Sequence, residues 1–383
     1  MFEFSIPMPF SKEHIDKVIS INKEVKKSKI TSLYFSLPSN SSDFTGFEQD
    51  RFIWNFDTDF KYWKPLIEYS RYNNFDFIYV LNSPVIHYEY QKELYIKLNM
   101  LDKLMDNLRT SGVNKIRICN PQLMGYINKN YPEVELYIST STEIKIIKEY
   151  INLFSEFENI KNCVPSFDVN KNFRLLKNLR KLFPEIKLEL MVNEGCIPGC
   201  PLRVIHNRWS KKIDPEYSSY CYSGSFFMDK CAMKKNQNIY SYLVNPNIIY
   251  PWEIKEYLKI GINHFKLVGR NNPKFITGEY LIYYEYYLKG IDNMENVNDI
   301  PIRFFNNYIH PYKKLGYTVK EIRPYLPDIK HFEKRGHLCA AMCSNECNYC
   351  SKHAEKMQKA LSKKALKKER EEIIRTMPVC VFD

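Results

Sequence analysis

The chain has 383 residues, 44% of them hydrophobic and 26% charged, which gives a globular protein with ample core: one large domain with an appendage, or two ordinary domains. No stretch of about 18 apolar residues and no basic-then-apolar leader occurs, so neither a membrane span nor a signal peptide is expected, and a cytoplasmic location is. The net charge of +12 is unevenly spread: nine Lys/Arg against four Glu fall between Ser351 and Thr376, so much of the excess marks one terminal helix, read as a basic solvated face or, alternatively, an RNA contact.

In chain order, short apolar runs recur, each followed by a longer stretch of helical periodicity. Strands are predicted over Phe2–Ile6, Ser32–Leu37, Phe75–Leu81, Lys115–Ile118, Val134–Ile138, Asn162–Pro165, Ile186–Val192 and His264–Val268. Helices are predicted over Lys12–Lys26, Glu89–Thr110, Pro121–Asn130, Thr142–Phe154, Val169–Phe183 and Pro251–Lys259. Ser11, Asn120 followed by Pro121, and Ser141 or Thr142 are the expected helix starts. Eight strands separated by helices predict an α/β fold, a (β/α)8 TIM-like barrel. No glycine-rich phosphate turn follows any strand, which disfavours an open doubly wound sheet.

Two long segments interrupt the rhythm. Pro38 to Trp63 is expected to lie over the barrel mouth, and residues 195–250 form a loop bearing cysteines. The barrel is assigned to residues 1–290. Residues 291–383 are assigned to a cysteine-rich C-terminal extension that carries a second cysteine group and the basic helix.

Eleven cysteines in a chain without an export signal suit metal ligation better than a disulfide framework. Cys196, Cys200, Cys221 and Cys231 follow the seventh strand, on the barrel end where such folds do chemistry. Four thiols from one extended loop fit an iron–sulfur cluster at least as well as zinc. Lys230, Arg203, His206 and Lys211 stand near them in sequence and would offset thiolate charge. The second group, Cys339, Cys343, Cys347 and Cys350, packs four cysteines into twelve residues. It reads as a closed iron–sulfur centre, with structural zinc as the alternative. Cys119 and Cys163 end strands and read as core.

In Phe265-Lys-Leu-Val-Gly-Arg270, alternation turns Lys266 away from Phe265 and Leu267, so Lys266 and Arg270 are candidates to hold an anionic ligand, whether a small molecule or the cluster. Glu194, beside the first cysteine, is a candidate proton-transfer residue by position.

The stretch Asn193-Glu-Gly-Cys-Ile-Pro-Gly-Cys-Pro-Leu-Arg-Val-Ile-His206, with the later Cys221 and Cys231, and Gly261-Ile-Asn-His-Phe-Lys-Leu-Val-Gly-Arg270, resembles the collagenase-like peptidase family (peptidase family U, number thirty-two). The resemblance covers roughly residues 110 to 285. It implies a barrel-like fold and, in the iron–sulfur-binding subset, a four-cysteine [4Fe-4S] centre. It also implies an oxygen-independent, hydroxylation-type modification of RNA or a small molecule, performed or assisted. The chain departs from the usual pattern by having Glu194-Gly195 before the first cysteine and three residues before the second. Two [4Fe-4S] clusters, with zinc possible at the C-terminal group, and an electron donor or partner protein are therefore expected. A peptidase, a non-catalytic partner subunit and an RNA-binding factor are the alternatives; no HExxH and no separate cysteine–histidine pair supports the first.

Overall fold

The computed structural model describes residues 1–36, 63–82, 91–194, 196, 198–200, 203, 239–269, 278–305, 317–335 and 347–361. Strands β1 (Phe2–Pro7), β2 (Ser28–Phe35), β3 (Asp76–Leu81), β4 (Lys115–Ile118), β5 (Glu135–Ile138), β6 (Ile160–Cys163), β7 (Lys187–Met191) and β8 (His264–Lys266) close into one barrel. Each pairs in parallel with the next in sequence, and β8 returns to β1 through Glu3 opposite His264 and Ser5 opposite Lys266. The expected (β/α)8 barrel is the observed fold.

Around it lie α1 (Lys12–Glu24), α2 (Trp63–Tyr72), α3 (Gln91–Thr110), α4 (Pro121–Asn130), α5 (Ile147–Glu156), α6 (Phe173–Leu182), α7 (Ile239–Leu243), α8 (Ile254–Leu258) and α9 (Leu281–Asp292). Capping decides where several begin. The Ser11 side chain accepts from His14 N at 3.3 Å, and Ile15, Val18 and Ile21 then fall on the buried side of α1. Asn120 accepts from Gln122 N and Leu123 N, with Pro121 at the first helical position of α4.

The helix expected from Thr142 starts later, at Ile147. Ser139 Oγ takes the Ser141 N–H and tightens residues Thr140–Thr142 into a 3-10 turn, and Glu143 then enters the left-handed region at φ 55°. The helix expected from Val169 likewise starts at Phe173, where Asn172 caps Leu175 N. Strand β2 ends at Phe35, two residues before the expected Leu37, and opens earlier, at Ser28.

Beyond α9 the described residues include three helices, α10 (Val319–Ile322), α11 (Ile329–Arg335) and α12 (Tyr349–Leu361), with an antiparallel bridge between Pro301 and Thr318. Val297, Ile302, Phe305, Val319, Ile322, Phe332, Ala354 and Met357 share one apolar core with the barrel strands and helices, and α12 packs on α7. The polar side of α12 is part of the expected basic helix, whose remainder lies outside the described residues.

Strand alternation separates two environments. Phe4, Ile6, Leu33, Phe77, Ile116, Leu136, Leu188 and Phe265 belong to the large core between strands and helices. Tyr34, Ile78, Val80 and Tyr137 form a separate small cluster, and with them Ser5, Arg117, Asn162, Glu189 and Lys266 are buried. The inside of this barrel is therefore partly charged rather than filled with branched apolar side chains.

Candidate functional site

The rim at the C-terminal ends of the strands is built around the segment after β7. Two residues past Met191, the Asn193 side chain pairs with the Val268 backbone, donating from Nδ2 to Val268 O and accepting the Val268 N–H, both at 2.8 Å. This amide does what a neighbouring strand would have done, and it is why β8 stops at Lys266 rather than at the expected Val268. It holds Glu194 and Cys196 over the barrel mouth.

Cys196 is tied at both ends of its peptide. Its N–H donates to Glu194 Oε1 at 3.1 Å, and its carbonyl accepts from Asn245 Nδ2 at 2.9 Å and Asn247 Nδ2 at 3.1 Å. Asn245 Oδ1 in turn accepts the Asn247 N–H, and Asn170 Nδ2 donates to the carbonyls of Asn247 and Met191. Three side chains thus fix the Cys196 backbone, Glu194 from its own segment and Asn245 and Asn247 from another, and Asn170 braces Asn247 behind them, a degree of preorganisation expected where a side chain must be held to within about half an ångström.

Asp168, in a 3-10 turn after β6, is the hub of the rim. Its fully buried carboxylate accepts both Arg203 Nη groups at 2.7 and 2.9 Å, Lys145 Nζ at 2.8 Å, the Gly199 N–H at 3.2 Å and Asn247 Nδ2 at 3.2 Å. Burial alone would raise the Asp168 carboxyl, but the bonds from Arg203 and Lys145 outweigh it and hold it below the usual carboxylate range. Glu143, from its left-handed position, adds a second carboxylate, 3.3 Å from Arg203 Nη1 and accepting from Ser166 Oγ at 3.1 Å. A glutamate at positive φ costs strain and persists where the surroundings fix it. The Arg203 guanidinium lies 4.1 Å from the centre of the Phe167 ring.

As a free thiol, Cys196 is pushed up to about 12, by burial first and by Glu194 and Cys200 after it, against the opposing pull of Arg203. Val164, Phe167 and Met191 make its apolar floor, with Val268 packed beside it.

Below the rim, inside the barrel, Glu189 accepts from Ser5 Oγ and from Arg117 Nη2, the arginine being 1% exposed. Arg117 is flanked by the rings of Tyr34 and Tyr137, 5.8 and 6.0 Å from their centres. Its Nε and Nη1 are buried and have no hydrogen-bond partner among the described residues. Lys266 stands on the same side of β8, its Nζ 3.7 Å from the centre of the Tyr34 ring, whose hydroxyl donates to Leu267 O at 2.9 Å. A cavity of about 90 Å³ opens at the opposite, N-terminal mouth, against Ser5, Tyr137, Asn162, Glu189 and His264.

The structure therefore brings Glu194, Cys196 and Cys200 together on the rim and puts Lys266 within the barrel. Cys221, Cys231, Arg270, Cys339 and Cys343 lie outside the described residues, as do residues 38–62. Cys347 and Cys350 stand at the start of α12, partly buried, and Tyr349 between them stacks on His331 with ring centres 3.5 Å apart. Among the described residues no three His, Cys, Asp or Glu side chains meet as a metal-holding group. Cys119 and Cys163 are buried, as a core role requires. Sequence reasoning did not single out Asp168, Glu143, Lys145, Arg117 or Glu189. The last two carried a readable signal, a charge in the middle of the apolar strands Lys-Ile-Arg-Ile and Lys-Leu-Glu-Leu-Met.

No helix of the described residues is long and apolar enough to cross a membrane. No family model matches the chain. The uncharacterized protease MJ1657 of Methanocaldococcus jannaschii is 22% identical over 375 residues, spanning 94% of this chain and 99% of that protein. Among solved structures, the U32 peptidase Mk0906 aligns with a TM-score of 0.41 at 9% identity, over 70% of this chain and 92% of that one. An α-amylase from Geobacillus thermoleovorans complexed with acarbose aligns with a TM-score of 0.38 at 9% identity, over 76% and 78%.

Proposed function

We propose, from the motifs it shares with the collagenase-like peptidase family and its nearly end-to-end alignment with the uncharacterized archaeal protease MJ1657, that the chain is a member of that family and that the rim around Cys196 is an iron–sulfur centre. The protein would carry out, or assist, an oxygen-independent hydroxylation-type modification of RNA or of an anionic small molecule. The observation that carries this reading is the clamp on Cys196: side-chain bonds from Glu194, Asn245 and Asn247 to its backbone, with the charge of Arg203 pulling against the rise of its thiol pKa. Metal-ligating loops are held this way, and a cation beside a thiolate offsets its charge.

Two of the four donors lie among the described residues. Cys196 and Cys200 are free thiols on one loop at the catalytic end of the barrel, and the sequence supplies Cys221 and Cys231 within the same excursion. These four would hold one [4Fe-4S] cluster. Cys339, Cys343, Cys347 and Cys350 would hold a second, or zinc. A bound cluster supplies single electrons. The chain's own residues do the rest: Arg203 and Asp168 fix the loop, Lys266 and Arg270 hold an anionic ligand, and Glu194 keeps the Cys196 N–H and stands ready as a proton acceptor. Free thiols go with a reducing, cytoplasmic compartment.

The name of the archaeal relative suggests a protease instead. A peptidase with Cys196 as nucleophile needs a lowered thiol pKa. Burial pushes this one up to about 12, which disfavours it as an unassisted nucleophile, while as a ligand it would have to give up its proton on binding the metal.

The test is the content of iron, zinc and acid-labile sulfide per chain in anaerobically purified protein, beside the variants Cys196→Ala and Cys343→Ala. About eight irons and eight sulfides are expected, falling by half in each variant. Zinc alone, or no metal, overturns the reading and moves peptide hydrolysis to the front.

A further inference from the structure

We infer that the outer face made by α6, α8 and α11 docks the phosphate backbone of RNA; this rests on the RNA arm of the reading above and not on its metal. α6 exposes Arg174, Lys177 and Lys181 along one line, three and four residues apart, and carries no Asp or Glu. Its other side, Phe173, Leu175, Leu176 and Leu179, is buried. The Phe173 ring packs on Tyr257 of α8, centres 4.8 Å apart. α11 packs on α6 as well, with its Phe332 ring 5.7 Å from Lys171 Nζ just ahead of that helix. α8 adds an exposed Lys255, and α11 adds exposed Lys330, Lys334 and Arg335.

Little on these three helices opposes that charge. Glu256 is buried and bound by Lys259, and Glu333 is half-buried. On the other side of the barrel the signs alternate: α1 exposes Lys12, Glu13, Asp16 and Lys17, and Lys17 and Lys289 are both spent on Glu285 of α9, at 2.8 and 2.6 Å. Interspersed signs cancel one another's field, whereas one sign spread over adjoining helices attracts a polyanion. The face also leads to the barrel mouth. Asn170, between Asp168 and α6, donates to the carbonyls of Met191 and Asn247 and accepts the Tyr257 hydroxyl of α8 at 2.8 Å. A membrane surface suits the face less well, because its exposed apolar side chains are single leucines at helix ends, Leu182 and Leu258, with no stripe to bury in lipid.

The test is the fluorescence anisotropy of labelled oligouridine titrated with the full chain over a range of salt. The triple variant Arg174→Gln/Lys177→Gln/Lys181→Gln strips α6. The control Lys352→Gln/Lys356→Gln/Lys359→Gln strips α12, where Glu355 interrupts the run. All six side chains are exposed, so both variants should fold as the parent does. Losing three single-strand phosphate contacts should flatten the slope of log affinity against log salt by about two and weaken binding at low salt about tenfold or more. The control should stay within about twofold of the parent.

An α6 variant that binds like the parent, or a control that loses as much, overturns the inference, the second by moving the contact to α12. So does a parent that binds vesicles of phosphatidylserine and phosphatidylcholine but no oligouridine, which makes the face a membrane contact. Iron analysis of the same samples keeps this result apart from the cluster. A parent that holds iron and binds no oligouridine overturns the face alone. A parent without iron whose RNA affinity falls in the α6 variant upholds the face while the cluster reading fails.

Discussion

At the rim, the Asp168 carboxylate receives donors from Arg203, Lys145, Gly199 and Asn247, and the Cys196 carbonyl receives two more amides. Inside the barrel, the Glu189 carboxylate receives Ser5 and Arg117, and Arg117 has no other hydrogen-bonded carboxylate among the described residues. Both regions take charge out of water, but at the rim Asp168 and the Cys196 carbonyl are each shared by several donors, whereas Arg117 is hydrogen-bonded to Glu189 alone among the described residues. Redundancy belongs where a loop must be held for chemistry; a single buried pair is the more fragile way to occupy a core position.

The contrast is broken or sharpened most strongly at Glu189. Glu189→Gln leaves the 1%-exposed Arg117 with no anion to face, and breaking a buried pair in this way costs about 3–5 kcal/mol. The double variant Arg117→Met/Glu189→Met removes both charges and should unfold in urea within about 1 kcal/mol of the parent, or later. A single variant that loses less than about 1 kcal/mol would show that water at the N-terminal mouth supplies what Glu189 does, and the interior would then be as redundant as the rim.

The second effect lies at the same mouth. Burial lowers the His264 pKa below its ordinary 6.5, and Glu3, 3.4 Å away, opposes this without overcoming it. A depressed folded-state pKa means that the unfolded chain takes up the proton first. The stabilising contribution of neutral His264 is then complete above about pH 6.5 and is lost as pH falls below it, by at most about 1.4 kcal/mol per pH unit. Urea midpoints measured from pH 8 to pH 5 should fall below pH 6.5, and His264→Asn should flatten that slope. An unchanged slope would show that His264 is not the source of the acid sensitivity.

The same contrast explains what could be read in advance. Strand and helix periodicities showed the barrel, because alternation and the three-and-four step report burial directly, and Ser11 and Asn120 carried their caps in their chemistry. Cys196 and Lys266 were legible for a like reason: a thiol beside Pro198 and Gly199, or a lysine between two core residues, is out of place. Asp168 was not. It lies in Phe167-Asp-Val169, a turn with no motif, and its importance comes from loops after β5, β6 and β7 converging in space. Arg117 and Glu189 obey the alternation rule used for Lys266, and applying it to every strand finds them.

The smallest expected effect tests redundancy itself. Asn247 is 1% exposed and donates to both Asp168 and the Cys196 carbonyl, so by burial alone its loss should be costly. Yet Asn247→Ala leaves the Cys196 carbonyl with Asn245 and leaves Asp168 with Arg203, Lys145 and the Gly199 N–H. No acceptor is stranded, so the loss in urea unfolding should stay near the net worth of one or two hydrogen bonds, about 0.5–1.5 kcal/mol. Combining it with Asn245→Ala strips the carbonyl of both amides, and the two losses should then exceed their sum. Simple additivity would mean that the asparagines act separately, and that the clamp on Cys196 is held by Asp168 and Arg203 alone.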